Sequence, residues 1–183
     1  NVTELENTLR KLQDQTQYDP LTQLGSQNAL EQYIHKKISQ QETFTLMLLD
    51  IDNFHAINQN HGHQLGNALL QEIGQRLSSW FLSEHLRGNL ARLRADIFAV
   101  VLIHHDDLQS DIDQLIMQLP QTYQPVDQPI HLEFHIGTAQ VPRDDQSVSG
   151  ILQKADLALH QAKQQSQQQV HFSQHLYENT YHA

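Results

Sequence analysis

Cysteine is missing altogether from this sequence of 183 residues. Disulfides and thiolate metal sites are thereby excluded, and cysteine usage gives no reading of redox compartment. Long apolar runs are missing too, and nothing approaches the roughly 18–20 residues that a membrane-spanning helix requires. The N-terminus lacks the basic stretch followed by an apolar one that marks a secretory signal. Basic residues are scarce: 11 Lys and Arg stand against 21 Asp and Glu, for a formal net charge of −10 with histidine neutral. Such a surface repels phosphate backbones, so no nucleic-acid binding is expected, and no membrane contact by this segment. A single nucleotide is a different matter, because a local site can be basic or bridged by a metal. There is also no Gly-rich P-loop, no G-x-S-x-G and no H-E-x-x-H, so those reaction classes have no support.

What is present is polar and sufficient for one domain. Hydrophobic residues make up 38% of the chain and its mean hydropathy is −0.55. A chain of this length can bury a sizeable core, and one domain with short flanks is the natural division. The 13 histidines read as compositional bias beside the abundant glutamine. His61 with His63, and His104-His105-Asp106-Asp107, are candidate metal pairs, but zinc sites need three or four convergent ligands.

Val2, Leu5, Leu9 and Leu12 recur at a/d spacing on a polar segment, as in the end of a helical stalk. Asp19-Pro20-Leu21-Thr22 breaks that helix. A second helix is expected from Ser26 to Ser39, with Leu30, Tyr33, Ile34 and Ile38 on one face. Phe44 to Ile51 is apolar and of strand length, so a strand buried on both faces is expected. It ends in Asp50-Ile51-Asp52, and carboxylates there are costly unless they meet a cleft or a metal. A short helix over Asn53–Asn60 and a turn at His61-Gly62-His63 follow, then a helix carrying Leu65, Leu69, Ile73 and Leu77. Asn89–Arg94 and Ile97–Ile103 read as strands joined by a two-residue link. His104–Asp113 starts a helix carrying Leu115, Ile116 and Leu119, and Pro120–Pro129 is a loop. His131–Ile136 alternates and predicts a half-buried strand with His131, Glu133 and His135 outward. A helix follows Gly150, and Val170–Phe172 is a short last strand. Interleaved helices and strands of this kind imply an α/β or α+β fold around one sheet.

Several stretches, taken in order, resemble the GGDEF (diguanylate cyclase) family. Asp19-Pro20-Leu21-Thr22-Gln23-Leu24 is similar to its opening DPLTGL, and Leu49-Asp50-Ile51-Asp52-Asn53-Phe54 with Ile57-Asn58 to LDIDxFKxIND. Gly62-His63 with Gly66-Asn67 is similar to GHxxGD, and Ile136-Gly137 to the SIG strand. Ala155-Asp156-Leu157-Ala158-Leu159-His160-Gln161-Ala162-Lys163 is similar to ADxALYxAK. The signature hairpin falls at Ala91-Arg92-Leu93-Arg94-Ala95-Asp96-Ile97-Phe98, with Arg94-Ala95-Asp96-Ile97-Phe98 in place of GGDEF. The resemblance implies a nucleotide-cyclase-like α+β fold: a central, mostly antiparallel five-stranded sheet, flanking helices and a signature β-hairpin. It divides the chain into a helical stalk over residues 1–17, a GGDEF domain over 18–173 and a linker over 174–183.

Active members of the family condense two GTP, one per domain, across a dimer, each with divalent metal. The resemblance places Mg²⁺ at Asp50, Ile51 and Asp96, and nucleotide at Asn58, Asn67, Lys163 and Arg94. Both metal carboxylates survive, and Mg²⁺ takes oxygen ligands. The departures lie on the substrate side. Arg94 and Ala95 replace the signature glycines, where a left-handed conformation costs a non-glycine residue roughly 1–2 kcal/mol. Asn67 replaces an aspartate that reads guanine, and an amide accepts through one oxygen only. Gln167 replaces a phosphate-binding arginine. Each lost charge-assisted bond, about 1.5–3 kcal/mol, weakens nucleotide affinity roughly ten- to hundredfold. No RxxD inhibitory site is expected, since His85 and Gly88 stand at its positions and Arg87 is out of register.

The expectation is therefore a catalytically inactive GGDEF domain with no catalytic residue beyond a remnant Asp96. It would serve as a regulatory and dimerisation module in cyclic di-GMP signalling, with at most weak binding of Mg²⁺ and GTP. The alternatives are a weakly active diguanylate cyclase and a ligand-free dimerisation adaptor. Expected partners are EAL and sensor domains of the same chain and a second copy bound through the N-terminal helix. The segment is expected in the cytoplasm, within a full-length protein free to carry a membrane anchor.

Overall fold

The most apolar run of the sequence forms the middle of the sheet. Phe44–Ile51 is strand β1, and all eight of its residues are buried. The computed structural model describes residues 1–103, 107–120, 122–123 and 129–172. Within it, β1 pairs antiparallel with β3 (Ile97–Ile103) on one side and β6 (Phe134–Val141) on the other. β2 (Gly88–Arg94) closes a hairpin on β3, and β7 (Gln169–His171) adds a parallel edge to β6. The strand order is β2-β3-β1-β6-β7, a five-stranded and mostly antiparallel sheet, as the resemblance implied.

Alternation along β1 builds two cores. Met47, Leu49 and Ile51 face α3 (Phe54–His61), α4 (His63–Ser83) and α5 (Leu108–Gln118), packing with Ile57, Leu69, Ile73, Leu77 and Ile112. Phe44, Leu46 and Leu48 face α2 (Gln27–Ser39) and α6 (Val148–Gln164), packing with Leu30, Ile34, Ile151, Ala155 and Ala158. Asp50 continues the second set and so points to the face that α6 covers. α6 lies close on the sheet because its inward side is small (Ala155, Ala158, Ala162) and because β6 offers Gly137 beneath it.

Several details depart from the sequence-based expectations. The expected strand His131–Ile136 is divided: Ile130–His131 is a short strand β5, paired with β4 (Thr122–Tyr123), and β6 begins at Phe134. β4 lies inside the expected loop 120–129. β6 is not half buried, because it sits between β1 and β7 under α6, and His135 is buried with it. α6 starts at Val148, capped by Ser147, so Gly150 lies within its first turn. A Cβ at Gly150 would meet the Asp145 carboxylate at 2.3 Å, which explains the glycine there. α5 begins after Asp107, whose side chain accepts from the Ser110 amide, and His104, His105 and Asp106 lie outside the described residues. The linker over 174–183 lies outside them too.

The N-terminal helix α1 (Val2–Gln17) leaves its seam bare: Val2, Leu5, Leu9 and Leu12 are 70, 63, 56 and 52% exposed. Among the described residues no helix is long and apolar enough to cross a membrane.

Candidate functional site

The end of β1 carries charge into the sheet. Asp50 is 2% exposed, and its register partners are Ile97 on β3 and His135 on β6. Asp96 precedes Ile97 at the tip of the β2–β3 hairpin, so strand pairing sets its carboxyl beside that of Asp50. From the other side, the last turn of α6 delivers Lys163, whose ammonium donates to Asp50 Oδ2 at 2.6 Å. Asp50 Oδ1 is buried and accepts no hydrogen bond among the described residues.

These contacts set the protonation of the cluster. Burial, then the hydrogen bond and charge of Asp50, push the Asp96 carboxyl from its ordinary 3.8 up to about 7. The hydrogen bond to Asp50 holds Lys163 above the ordinary lysine range, against a burial that opposes its charge. A carboxyl raised on folding contributes stability that is complete below about pH 3.8 and is lost as pH rises through about 7. Asp96→Asn, which mimics the neutral acid, should therefore match the parent near pH 4 and melt higher above about pH 7. Thermal unfolding at a series of pH values checks this; a difference that does not grow with pH would contradict it.

The hairpin tip is shaped from a distance. Ala95 has φ of 39°, in the left-handed region. The Arg92 guanidinium holds it there: Nε donates to the Ala95 carbonyl at 2.8 Å, and Nη1 meets Asp19 Oδ1 at 3.0 Å. Asp19 Oδ2 in turn accepts from the Thr22 amide and hydroxyl at 2.9 and 2.6 Å. Arg94 is exposed, and its side chain makes no hydrogen bond or ion pair among the described residues.

A second group lies where β1 turns into α3. Asn53, at φ of 56°, makes the turn, a conformation that asparagine tolerates. Asn58 on α3 reaches α4 at Gly66, where a Cβ would stand 1.9 Å from Asn58 Oδ1. Gly66 is thus the slot that admits Asn58, and Asn67 is the exposed residue beside it. The structure therefore joins Asp50, Asp96 and Lys163 in one cluster and Asn58 with the Gly66-Asn67 step in another.

The donor set suits a divalent ion. A buried carboxylate oxygen without a partner and a second carboxyl beside it are hard oxygen ligands, and Mg²⁺ completes its shell with waters and phosphates. Ile51 offers only its backbone carbonyl, since its side chain is in the core. Among the described residues no three His, Asp or Glu side chains converge as a metal site, so His61 and His63 do not build one.

Sequence reasoning missed Arg92 and His135. Arg92 is a charged residue inside a strand, which was the available signal. His135, expected on an outward face, donates from Nδ1 to the Gln167 carbonyl at 2.8 Å, with Nε2 at 3.9 Å from Asp52 Oδ2. It ties β6 to the segment after α6. Where the family's RxxD motif would fall, Gly88 has φ of 151° and a Cβ there would stand 1.7 Å from the Val101 carbonyl oxygen. An aspartate cannot be seated at that point without moving β3.

Known proteins agree with this architecture. The family described as "Diguanylate cyclase, GGDEF domain" matches residues 16–169. The bifunctional diguanylate cyclase/cyclic di-GMP phosphodiesterase MucR of Pseudomonas aeruginosa is 29% identical over 169 residues, 89% of this chain and 24% of that protein. The biofilm architecture maintenance protein MbaA of Vibrio cholerae is 27% identical over 186 residues, 95% of this chain and 24% of that protein. The chain thus spans about a quarter of the length of these curated relatives. Among solved structures, a sensory box/GGDEF family protein from Caulobacter crescentus is 28% identical with a TM-score of 0.70, covering 81% of this chain and 99% of that one. The GGDEF domain of PA1120 from Pseudomonas aeruginosa, 24% identical with a TM-score of 0.77 over 89% of this chain and 98% of that one, shares the fold. By its matched residues and its fold, this chain belongs to the GGDEF family.

Proposed function

We propose that this domain is a catalytically inactive member of the family, acting as a regulatory and dimerisation module in cyclic di-GMP signalling and binding Mg²⁺ with GTP weakly. The observation that carries the reading is the hairpin tip. Ala95 occupies a left-handed conformation beside Asp96, and both Arg94 and Ala95 put side chains where bare backbone would meet phosphate. The strain costs roughly 1–2 kcal/mol. Lys163 remains as a cation for phosphate, while Gln167 brings no charge. Asp50 and Asp96 keep the oxygen ligands for Mg²⁺, which when bound would neutralise phosphate charge. Lys163 and Asn58 would orient the nucleotide. Arg94 is exposed and pairs with neither carboxylate among the described residues, which favours a site open to nucleotide over a plugged, ligand-free adaptor.

The relatives supply the context. MucR carries both cyclase and phosphodiesterase in its name, so EAL and sensor domains in the same chain are the proposed neighbours. The bare seam of α1 is the proposed dimer contact, seated against the same helix of a second copy.

Incubation with GTP and Mg²⁺ or Mn²⁺, followed by chromatography, should give no cyclic dinucleotide. Calorimetry should give weak GTP binding that tightens roughly tenfold in Arg94→Gly/Ala95→Gly, where strain and side chains are both removed. Product lost on Asp50→Ala would establish the weak cyclase instead, and no heat at millimolar GTP would leave only an adaptor.

A further inference from the structure

The same side chain that should hold phosphate also occupies the metal's own ligand. Lys163 Nζ lies 2.6 Å from Asp50 Oδ2, closer than an ordinary N–H···O bond, and Asp50 is the most deeply buried acid of the cluster. The ammonium is attached to the last turn of α6, which is fixed on β6 through Gly137, so this contact is set by the fold. It answers the problem posed by a carboxylate at the end of a buried strand: without a counter-cation Asp50 would be an uncompensated buried charge. The Lys163 side chain is 43% exposed and Asp50's is 3% exposed, so the lysine has solvent on its outer side and room to swing, whereas Asp50 cannot move.

We propose that Lys163 is a built-in cation that takes Asp50 Oδ2 in the place of a divalent metal's charge, opposes metal on the adjacent Oδ1, and leaves only when a polyphosphate arrives to take the ammonium. The site then admits metal together with a nucleotide polyphosphate and rejects free metal. With Lys163 on Oδ2, a divalent ion on the free Oδ1 would stand one carboxylate away from the ammonium, and two cations that close in a partly buried setting repel each other. Phosphate relieves the conflict because it gives Lys163 a second anion and brings further oxygen ligands for the metal. This rests on the proposed reading of Asp50 and Asp96 as metal ligands.

The consequence runs against intuition: deleting a ligand-binding lysine should strengthen metal binding. Mn²⁺ binding, followed by electron paramagnetic resonance without nucleotide, tests it directly. Lys163→Met should bind Mn²⁺ about ten- to hundredfold more tightly than the parent, the worth of one charge-assisted bond. Lys163→Arg, which keeps the charge, should remain near the parent. Lys36→Met, an exposed lysine on α2, makes the same change of net charge elsewhere and should shift affinity less than about twofold, since distant charges are screened by salt. Asp50→Asn should abolish binding in every background. Adding a non-hydrolysable GTP analogue should tighten Mn²⁺ binding to the parent but much less to Lys163→Met. If Lys163→Met and the parent bind Mn²⁺ equally and Asp50→Asn abolishes both, the metal site stands and the lysine gate falls. If Mn²⁺ binds none of the proteins, or ignores Asp50→Asn, the reading of the carboxylates falls and the gate with it.

Discussion

Replacing Gly137 by valine should lower the melting temperature by about 10 °C and separate Lys163 from Asp50. A Cβ at this position would stand 2.2 Å from the Leu159 amide nitrogen and 2.6 Å from the Ala155 carbonyl oxygen. Both are backbone atoms of α6, so no rotamer change relieves the overlap and the helix must lift from the sheet. Overpacking a core costs typically 1–3 kcal/mol and occasionally more, and an obstacle made of backbone puts the cost at about 3 kcal/mol or above. At roughly 2–4 °C per kcal/mol for a domain of this size, that is about 10 °C. The displacement also carries off Lys163, one residue beyond the buried Ala162. Thermal unfolding measures the first effect, and the second should appear as Mn²⁺ binding that rises as it does in Lys163→Met. Gly62→Ala is the contrast: its Cβ would meet nothing within 4 Å, and only its φ of 87° opposes a side chain. It should cost only about 1–2 kcal/mol. Equal losses at the two glycines would mean that α6 yields to the new side chain at little cost and that its close seat on Gly137 is not what holds it.

The fold was legible wherever hydrophobic period and length agreed. Phe44–Ile51 suggests a central strand and the two-residue step between Arg94 and Ile97 a hairpin, and both are present. The helices with long apolar stripes were as plain. What the pattern concealed was burial imposed from outside. His135 sits in an alternating stretch, and alternation ordinarily marks one wet face. Here α6 covers the face of His135, the core of α3, α4 and α5 covers that of Phe134 and Ile136, and the imidazole is satisfied by the Gln167 carbonyl instead of water. The start of α6 was misplaced for a similar reason. Gly150 suggests a boundary, but its glycine is demanded by the Asp145 carboxylate packed against it, three residues past the Ser147 cap.

The site was legible as a set of residues and not as a set of contacts. Asp50, Asp96, Asn58 and Lys163 could be named from ordered motifs. That Lys163 and Asp50 pair in the absence of ligand depends on where α6 ends above β1, and no spacing in the sequence encodes that distance. The raised Asp96 likewise follows from burial first and then from a neighbour 46 positions away in the chain, brought close only by the register that sets Asp50 opposite Ile97. Arg94, whose sequence position left open whether it would block or assist phosphate, is exposed. The residue that shapes the tip is two positions earlier: the β2–β3 ladder is irregular between Arg92 and Arg94, and Arg92 reaches the opening loop at Asp19.

Arg92→Ala should lower stability by about 3 kcal/mol and loosen the signature turn more than the rest of the domain. The guanidinium and its partner Asp19 have side chains only 16 and 14% exposed, so the pair is well removed from water. Removing one member of a buried pair costs about 3–5 kcal/mol, because the other charge is left behind, and some solvent here favours the lower end. Arg92 also satisfies the Ala95 carbonyl, which would lose its partner at a residue already strained. Amide exchange at residues 94–97 should therefore accelerate beyond the global change, while amides of α4 follow global stability alone. Arg92→Lys keeps the charge but has no planar fork to serve Asp19 and Ala95 together, so it should recover only part of the loss. A double-mutant cycle with Asp19→Ala should return a coupling of about 1.5–3 kcal/mol, the upper part of the range for contacting residues. Additive effects would mean that the opening loop and the hairpin are held independently. Strong coupling would make the Asp19 loop a support of the turn that carries Asp96, so that a shift in the chain just after α1 would reach the proposed metal carboxylates through a single guanidinium.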